Sequence, residues 1–459
     1  MLEQESVTDR EVSSSFIERL FLIFVKVFIF TFLLIFFVYV PINFWLGDDL
    51  FWANQGAKGG DLLQHYASGV MWEDGKSHDL YRDFKLGDWI NQWQRDLWGE
   101  QTFGQEERLK NFNYVYCPLT AAMASWLLVF DFGTWMSWAF NLGLIYYIMA
   151  CLFMIKSLKH LPKTPEPLLM VLLLLSFPSI YYALIPLQNT QLTLLLLVLA
   201  GISLNRNSPF IAGIIFSCAF YKPQLMPYFC AFSAIALPWR FAAGLISGNV
   251  LWLLLGIIIC GWESHQLWWA SLKDMTSGVQ FQRDGLNQSW RGFILSHFSE
   301  TNRFILDIIS HTISLVLLTL VALVIRLKKS KIAWRPAYTL YICASIWLLA
   351  SPYVGHYGIL LGLPWWFVVL RQNELDANNK YNKWVRYGLA GLFWLISLLS
   401  ITGQVSGTNL TAPFLTCWVL LSLKFYYNLP ETIAEGQRIL GIYIKDPLKL
   451  IKDYFTDKI

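Results

Sequence analysis

The chain has 459 residues, of which 56% are hydrophobic and only 14% charged, with a formal net charge of +4. A soluble domain carries about 25% charged residues, so this composition, with a mean hydropathy of +0.45, excludes an ordinary soluble domain, and the small positive charge points to no nucleic-acid partner. Apolar runs of about 20 residues recur along most of the length, each long enough to cross a bilayer as a helix, and the weak alternating segments of a closed barrel are absent.

Residues 1–19 form a polar lead without an organelle-targeting pattern, and the run 21–46 is too long for the h-region of a cleavable signal. That run ends in Gly47-Asp48-Asp49, so the first helix delivers carboxylates to the water boundary. A long polar outer loop follows, about 47–133, in which Trp52, Trp72, Trp89, Trp93 and Trp98 suit a bilayer surface. Within it, 117–132 is apolar but short and ends near Asp131. It reads as a juxtamembrane or partly dipping helix on the outer side.

Basic residues cluster in short loops, at 156–163, Arg206, Arg240, 326–335 and 371–386. Placing these in the cytoplasm predicts spans near 21–46, 134–156, 166–187, 190–205, 208–222, 224–239, 241–262, 303–326, 336–353, 356–371, 384–402 and 409–427. The expected fold is therefore all-α and polytopic, with about twelve transmembrane helices, both termini cytoplasmic, and a second outer loop at 263–302. Three of the spans, 190–205, 208–222 and 224–239, are short and broken by Gly and Pro, a pattern that marks a cavity at membrane depth. Residues 1–427 form one membrane domain, and the amphipathic tail 428–459 is expected along the inner membrane surface. No internal repeat is evident. The seven cysteines lie singly in or beside apolar segments, which predicts neither disulfides nor a cysteine-bound metal.

Asp61 is the first candidate for chemistry. An acid at the water boundary beside apolar helices can act as a general base; the alternative is a solvated loop aspartate, of which the loop has several. Asp48 and Asp49 compete with it, and read more simply as a helix-end pair. An acid in a Trp-rich loop after the first helix suggests a membrane-embedded enzyme rather than a channel.

Several strings recur in order. The stretch from Asp61 through His65-Tyr66-Ala67 to Gly75 and Tyr81 comes first. It is followed by Tyr114-Val115-Tyr116-Cys117-Pro118-Leu119, Leu187-Gln188-Asn189-Thr190-Gln191, Tyr221-Lys222-Pro223, Asn287-Gln288-Ser289 and Ser351-Pro352 with His356. Together they resemble the pattern of glycosyltransferase family 87, of the GT-C superfamily, with Cys117 and Leu187 where that pattern has proline and glycine. The resemblance implies a mannosyltransferase-like enzyme that takes one sugar from a polyprenyl-phosphate donor and gives it to a lipid or glycan acceptor at the outer face of a bacterial inner membrane. It makes Asp61 the base and His356 a second catalytic residue. Lys222, Gln188, Arg283 and Arg291 then bind donor phosphate or substrate, and His65 and Tyr66 orient the acceptor.

The simpler readings are a snorkelling lysine for Lys222, a core histidine for His356, a turn-capping glutamine for Gln188 and a surface ion pair for Arg283-Asp284. Asp48-Asp49 is not a DxD, and no HExxH, P-loop or GxGxxG occurs, so neither a metal nor a soluble cofactor is expected. The alternative function is a flippase or secondary transporter for a lipid-linked or anionic solute.

Overall fold

The computed structural model describes residues 60–82, 85–98, 114–157, 173–222, 236–277, 287–298, 305–316, 336–351, 355–371, 380–406 and 410–427, with parts of 23–47 and 229–233. Arg283, Asp48, Asp49, the basic loops at 158–163 and 326–335 and the tail 428–459 lie outside these residues. The regular elements among the described residues are all helical: α1 (Tyr39–Leu46), α2 (Gly60–Glu73), α3 (Lys85–Trp98), α4 (Pro118–Trp126), α5 (Phe132–Ser157), α6 (Pro178–Leu184), α7 (Thr190–Asn205) and α8 (Pro209–Ser217). They continue with α9 (Trp239–Ser277), α10 (Trp290–His297), α11 (Ile305–Val316), α12 (Pro336–Ala350), α13 (Leu363–Arg371), α14 (Lys380–Ser406) and α15 (Thr411–Tyr427).

Two of these helices are long and apolar enough to cross a membrane, Phe132–Ser157 and Trp239–Leu272. In the second, Val250, Leu251, Leu254 and Ile258 point outward, and Ile258 is 79% exposed. An apolar face of that extent needs lipid rather than water against it. The other apolar helices among the described residues have 10–17 residues, so twelve full crossings are not provided by the described helices alone.

Several boundaries differ from the sequence expectation for local reasons. The run 166–187 is interrupted at Ser176 and Phe177, because a residue before proline is driven out of the α region, and Phe177 is extended (φ −66°, ψ 117°) ahead of Pro178. The short apolar stretch 117–132 yields α4, nine residues long, or roughly 14 Å at 1.5 Å per residue, against a hydrocarbon core about 30 Å thick. Residues 263–277 do not form an open loop: α9 carries on beyond Gly261, whose φ of 78° and ψ of 158° break the helix where its apolar run ends.

Two packing devices hold the bundle. α12 is buried all round from Ala337 to Ala350, so it is the central helix, apolar on every face. α8 and α9 approach closely through glycines: a Cβ on Gly213 would lie 2.2 Å from the Phe241 carbonyl oxygen, and one on Gly244 would lie 2.1 Å from that of Phe210. Small residues that let backbones touch are the usual solution where lipid offers no hydrophobic drive between helices.

Candidate functional site

The first outer region is built from short helices. α2 packs on α4, α3 and the 3₁₀ turn Ser77–Tyr81. Close contact with α4 is possible because Gly69 has no side chain; a Cβ there would lie 2.9 Å from the backbone of Ala124. The extended segment before α4 is tied at several points. Tyr114 N–H donates to the Leu80 carbonyl (2.8 Å), the Tyr81 hydroxyl to the Tyr116 carbonyl (3.1 Å), and Trp268 of α9 to the Val115 carbonyl (3.1 Å). Tyr114 and Tyr116 are thereby fixed, and His65 of α2 lies between them. Its Nδ1 is 3.0 Å from the Tyr114 hydroxyl, and its ring centroid is 4.4 Å from that of Tyr116.

From the other side come α7 and the 3₁₀ turn Cys218–Tyr221. α6 ends in a reciprocal cap: Gln188 N–H donates to the Ala183 carbonyl (2.8 Å) and Leu187 N–H to that of Leu184 (3.2 Å). This Schellman arrangement needs a left-handed residue at its corner, and Leu187 supplies it with φ 58°. The same device closes α2 at Gly75 and α7 at Asn207, with φ 74° and 57°. Leu187 therefore adopts a left-handed turn that glycine takes more readily.

The turn delivers Asn189, Thr190 and Gln191 to the start of α7. Lys222 donates to Thr190 Oγ1 at 2.9 Å and is 6% exposed. Its neighbour Tyr221 donates to the Asn189 carbonyl (2.9 Å) and sits 2.6 Å from Thr193 Oγ1. Gln191 is 1% exposed, and among the described residues both ends of its carboxamide are without a hydrogen-bond partner, as is Asn189 Oδ1. Asn189 does not cap α7 with its side chain. Asn189 thus leaves the first N–H groups of α7 without its own side-chain cap, beside a buried ammonium, an arrangement suited to an anion.

Lys222 and His65 influence each other. Removal from water, and then the nearby Lys222 charge, push the His65 imidazole down to about 4, so it is neutral at physiological pH and can accept or donate at either nitrogen. The structure thus joins the 65–66, 114–118, 188–191 and 221–222 strings in one place.

The remaining candidates fall as follows. Asp61 lies in α2 one turn before His65, on the same helical face; its side chain is outside the described residues. His356 opens the 3₁₀ turn His356–Gly362, which packs on α12, α6 and α7; its side chain is likewise not described. Gln188 is buried at 9% beside the cap. Tyr66 faces elsewhere, stacked on Trp93 at 5.2 Å with Phe132 and Trp135 around it. Arg291 forms a forked pair with Asp307, Nε to Oδ1 at 2.7 Å and Nη2 to Oδ2 at 3.4 Å, linking α10 to α11. Thr190, Tyr221 and Gln191 are the site residues that sequence reasoning did not single out; each sits inside a string already recognised, next to Gln188 or Lys222. Among the described residues no group of three His, Cys, Asp or Glu could hold a metal, and all seven cysteines are free.

Among the described residues the elements are all helical, and the start of α7 is joined by a buried lysine. The chain belongs to glycosyltransferase family 87, whose model matches residues 114–352, and it is accordingly a glycosyltransferase. The matched region holds the tyrosine segment, the 188–191 turn, Lys222 and Arg291, whereas Asp61, His65, Tyr66 and His356 fall outside it. No curated protein and no solved structure matches the chain.

Proposed function

We propose that the protein is an inverting membrane glycosyltransferase that moves one sugar, mannose or a similar one, from a polyprenyl-phosphate carrier to a lipid or glycan acceptor at the outer face of a bacterial inner membrane. The observation that carries this reading is Lys222, a buried ammonium held against Thr190 at the start of α7. A charge at membrane depth costs roughly 2.5–3.5 kcal/mol on insertion scales, a cost that is recovered when the charge meets an anion.

In this reaction the acceptor oxygen attacks the anomeric carbon, giving up its proton to Asp61 while the bond from that carbon to the phosphate oxygen breaks. The bond electrons leave with the polyprenyl phosphate, which passes from one negative charge to two. Lys222 and the first N–H groups of α7 therefore bind the departing phosphate more strongly than the donor's phosphodiester, which is what accelerates a reaction. Neutral His65 is near Lys222 and one helical turn beyond Asp61 on α2. It adds no positive charge that would hold Asp61 away from the proton. The buried carboxamide of Gln191 suits sugar hydroxyls, and a donor with a single phosphate needs no divalent ion to bridge it. Arg291, already paired with Asp307, serves structure rather than phosphate in this scheme. The transport alternative has no observation of its own.

The test is transfer from a panel of labelled polyprenyl-phosphate sugars in membranes holding wild type, Asp61→Asn or Lys222→Met at equal protein levels. One donor should serve the wild type, and each variant should be slowed by about 10²–10³, the usual cost of removing a general base or a transition-state electrostatic partner. Full transfer by Asp61→Asn would remove Asp61 as the base. Full transfer by Lys222→Met would remove the phosphate from Lys222.

A further inference from the structure

A polar cavity opens beyond the far end of α2, between that helix, the Ser77–Tyr81 turn and α3. Its volume is about 510 Å³, within the 300–1,000 Å³ of small-molecule sites. Its floor reaches Met71, six residues beyond His65, or roughly 9 Å along the helix. α3 is amphipathic, with Leu86 and Ile90 packed inward. Asp88, Asn91 and Arg95, at i, i+3 and i+7, line the cavity as one stripe.

The lining mixes donors and acceptors instead of concentrating cations. Asp79 and Lys85 form an ion pair at 2.9 Å across one edge. Asp88 offers carboxylate oxygens, and Arg95 donates to Gln92 (2.9 Å) at the rim. Asn91, 8% exposed, adds a carboxamide that can both donate and accept. Trp89 is half-buried and adds an indole to the wall.

We propose that this cavity binds a saccharide unit of the acceptor. Hydroxyl groups both give and accept hydrogen bonds, which the alternating Asp79, Lys85, Asp88, Asn91 and Arg95 satisfy, and a pyranose ring has an apolar C–H face that fits an indole. Lys76, Lys85 and Arg95 stand beside Asp79 and Asp88 in the lining, so the cavity offers donors and acceptors together rather than the single buried ammonium of the Lys222 site. The inference rests on the glycosyltransferase reading: it puts donor phosphate and acceptor glycan on opposite sides of α2, with Asp61 on the same helix as both.

The experiment uses the full chain, purified in detergent and fluorescently labelled, on a printed array of defined neutral and acidic oligosaccharides. Binding of farnesyl phosphate is measured separately. Asp88 and Arg95 are exposed, so Asp88→Ala and Arg95→Ala leave the core intact. Wild type should bind a subset of glycans, both of these variants should bind at least tenfold more weakly, and Lys222→Met should bind them normally while losing farnesyl phosphate. The proposal is overturned if wild type binds no glycan, if Asp88→Ala and Arg95→Ala bind as wild type does, or if Lys222→Met loses the glycan too. Loss of farnesyl phosphate binding by none of the variants would count against the donor site alone and leave the cavity standing.

Discussion

Two basic side chains of the site, Lys222 and His65, lie close enough to interact. Lys222 keeps a donor contact to Thr190, whereas His65 is held neutral, with its imidazole pushed from 6.5 down to about 4. Unfolded, that imidazole takes a proton near pH 6.5; folded, it does so only near pH 4. Between these values the unfolded state binds the extra proton, so the His65 contribution is fully present above pH 6.5 and is lost as pH falls toward 4. The total is about 3 kcal/mol. Thermal unfolding of wild type and His65→Asn in detergent between pH 4 and 7.5 should show this slope in wild type and a flatter profile in the variant; equal slopes would place the pH response elsewhere.

Leu187 poses a different balance at the same scale. Its left-handed backbone costs roughly 1–2 kcal/mol, so glycine would relieve strain. Yet Leu187 is 6% exposed and part of the core, and truncating a buried leucine costs about 2–5 kcal/mol. Leu187→Gly should therefore lower stability, by about 1–3 kcal/mol on balance. A rise in melting temperature would show that strain outweighs packing.

At the scale of elements, α9 owes its break to one residue. Gly261 has open space where a Cβ would sit, so a substitution there meets no neighbour; the cost is in the backbone, because its dihedral angles belong to a region that only glycine populates readily. Gly261→Ala should destabilise by about 1–3 kcal/mol and shift the outer half of α9, with its Trp268 bond to Val115, relative to the apolar half. Gly244→Ala tests the opposite situation, where dihedrals are helical but the Phe210 carbonyl blocks the Cβ. It should separate α8 from α9 and cost about 1–3 kcal/mol by overpacking, read as a lower unfolding temperature. The helix start at Pro209 agrees with the expected span 208–222, whereas the one at Pro178 falls inside the expected span 166–187. The break at Gly261 lies one residue from the expected span end at 262, but the helix continues through Ser277, where the sequence predicts an outer loop.

At the scale of the molecule, composition was enough to indicate an all-helical membrane protein, and the ordered strings pointed to the family that the match over 114–352 then showed. Helix α7 emerged with the bounds read from the sequence, 190–205, since its apolar run is closed by polar residues on both sides. The site was legible only in part. Gln188 and Lys222 were singled out for their chemistry, but Arg291 carried the same charge and turned out to be clamped on Asp307. His65 and Tyr66 are neighbours in sequence and in resemblance, yet α-helical geometry turns them about 100° apart. One meets Tyr114 and the Lys222 charge, and the other meets Trp93.

The sequence by itself determined the solvent, the helical class and the family, because hydrophobic run length, proline positions and short motifs are local properties of the chain. Only the tertiary structure decided which charges meet. Contacts such as Lys222 with Thr190, Trp268 with Val115 and Arg291 with Asp307 depend on how far each helix extends, where it breaks and which face it turns inward. Those are settled by packing the whole bundle at once, and no local pattern encodes them.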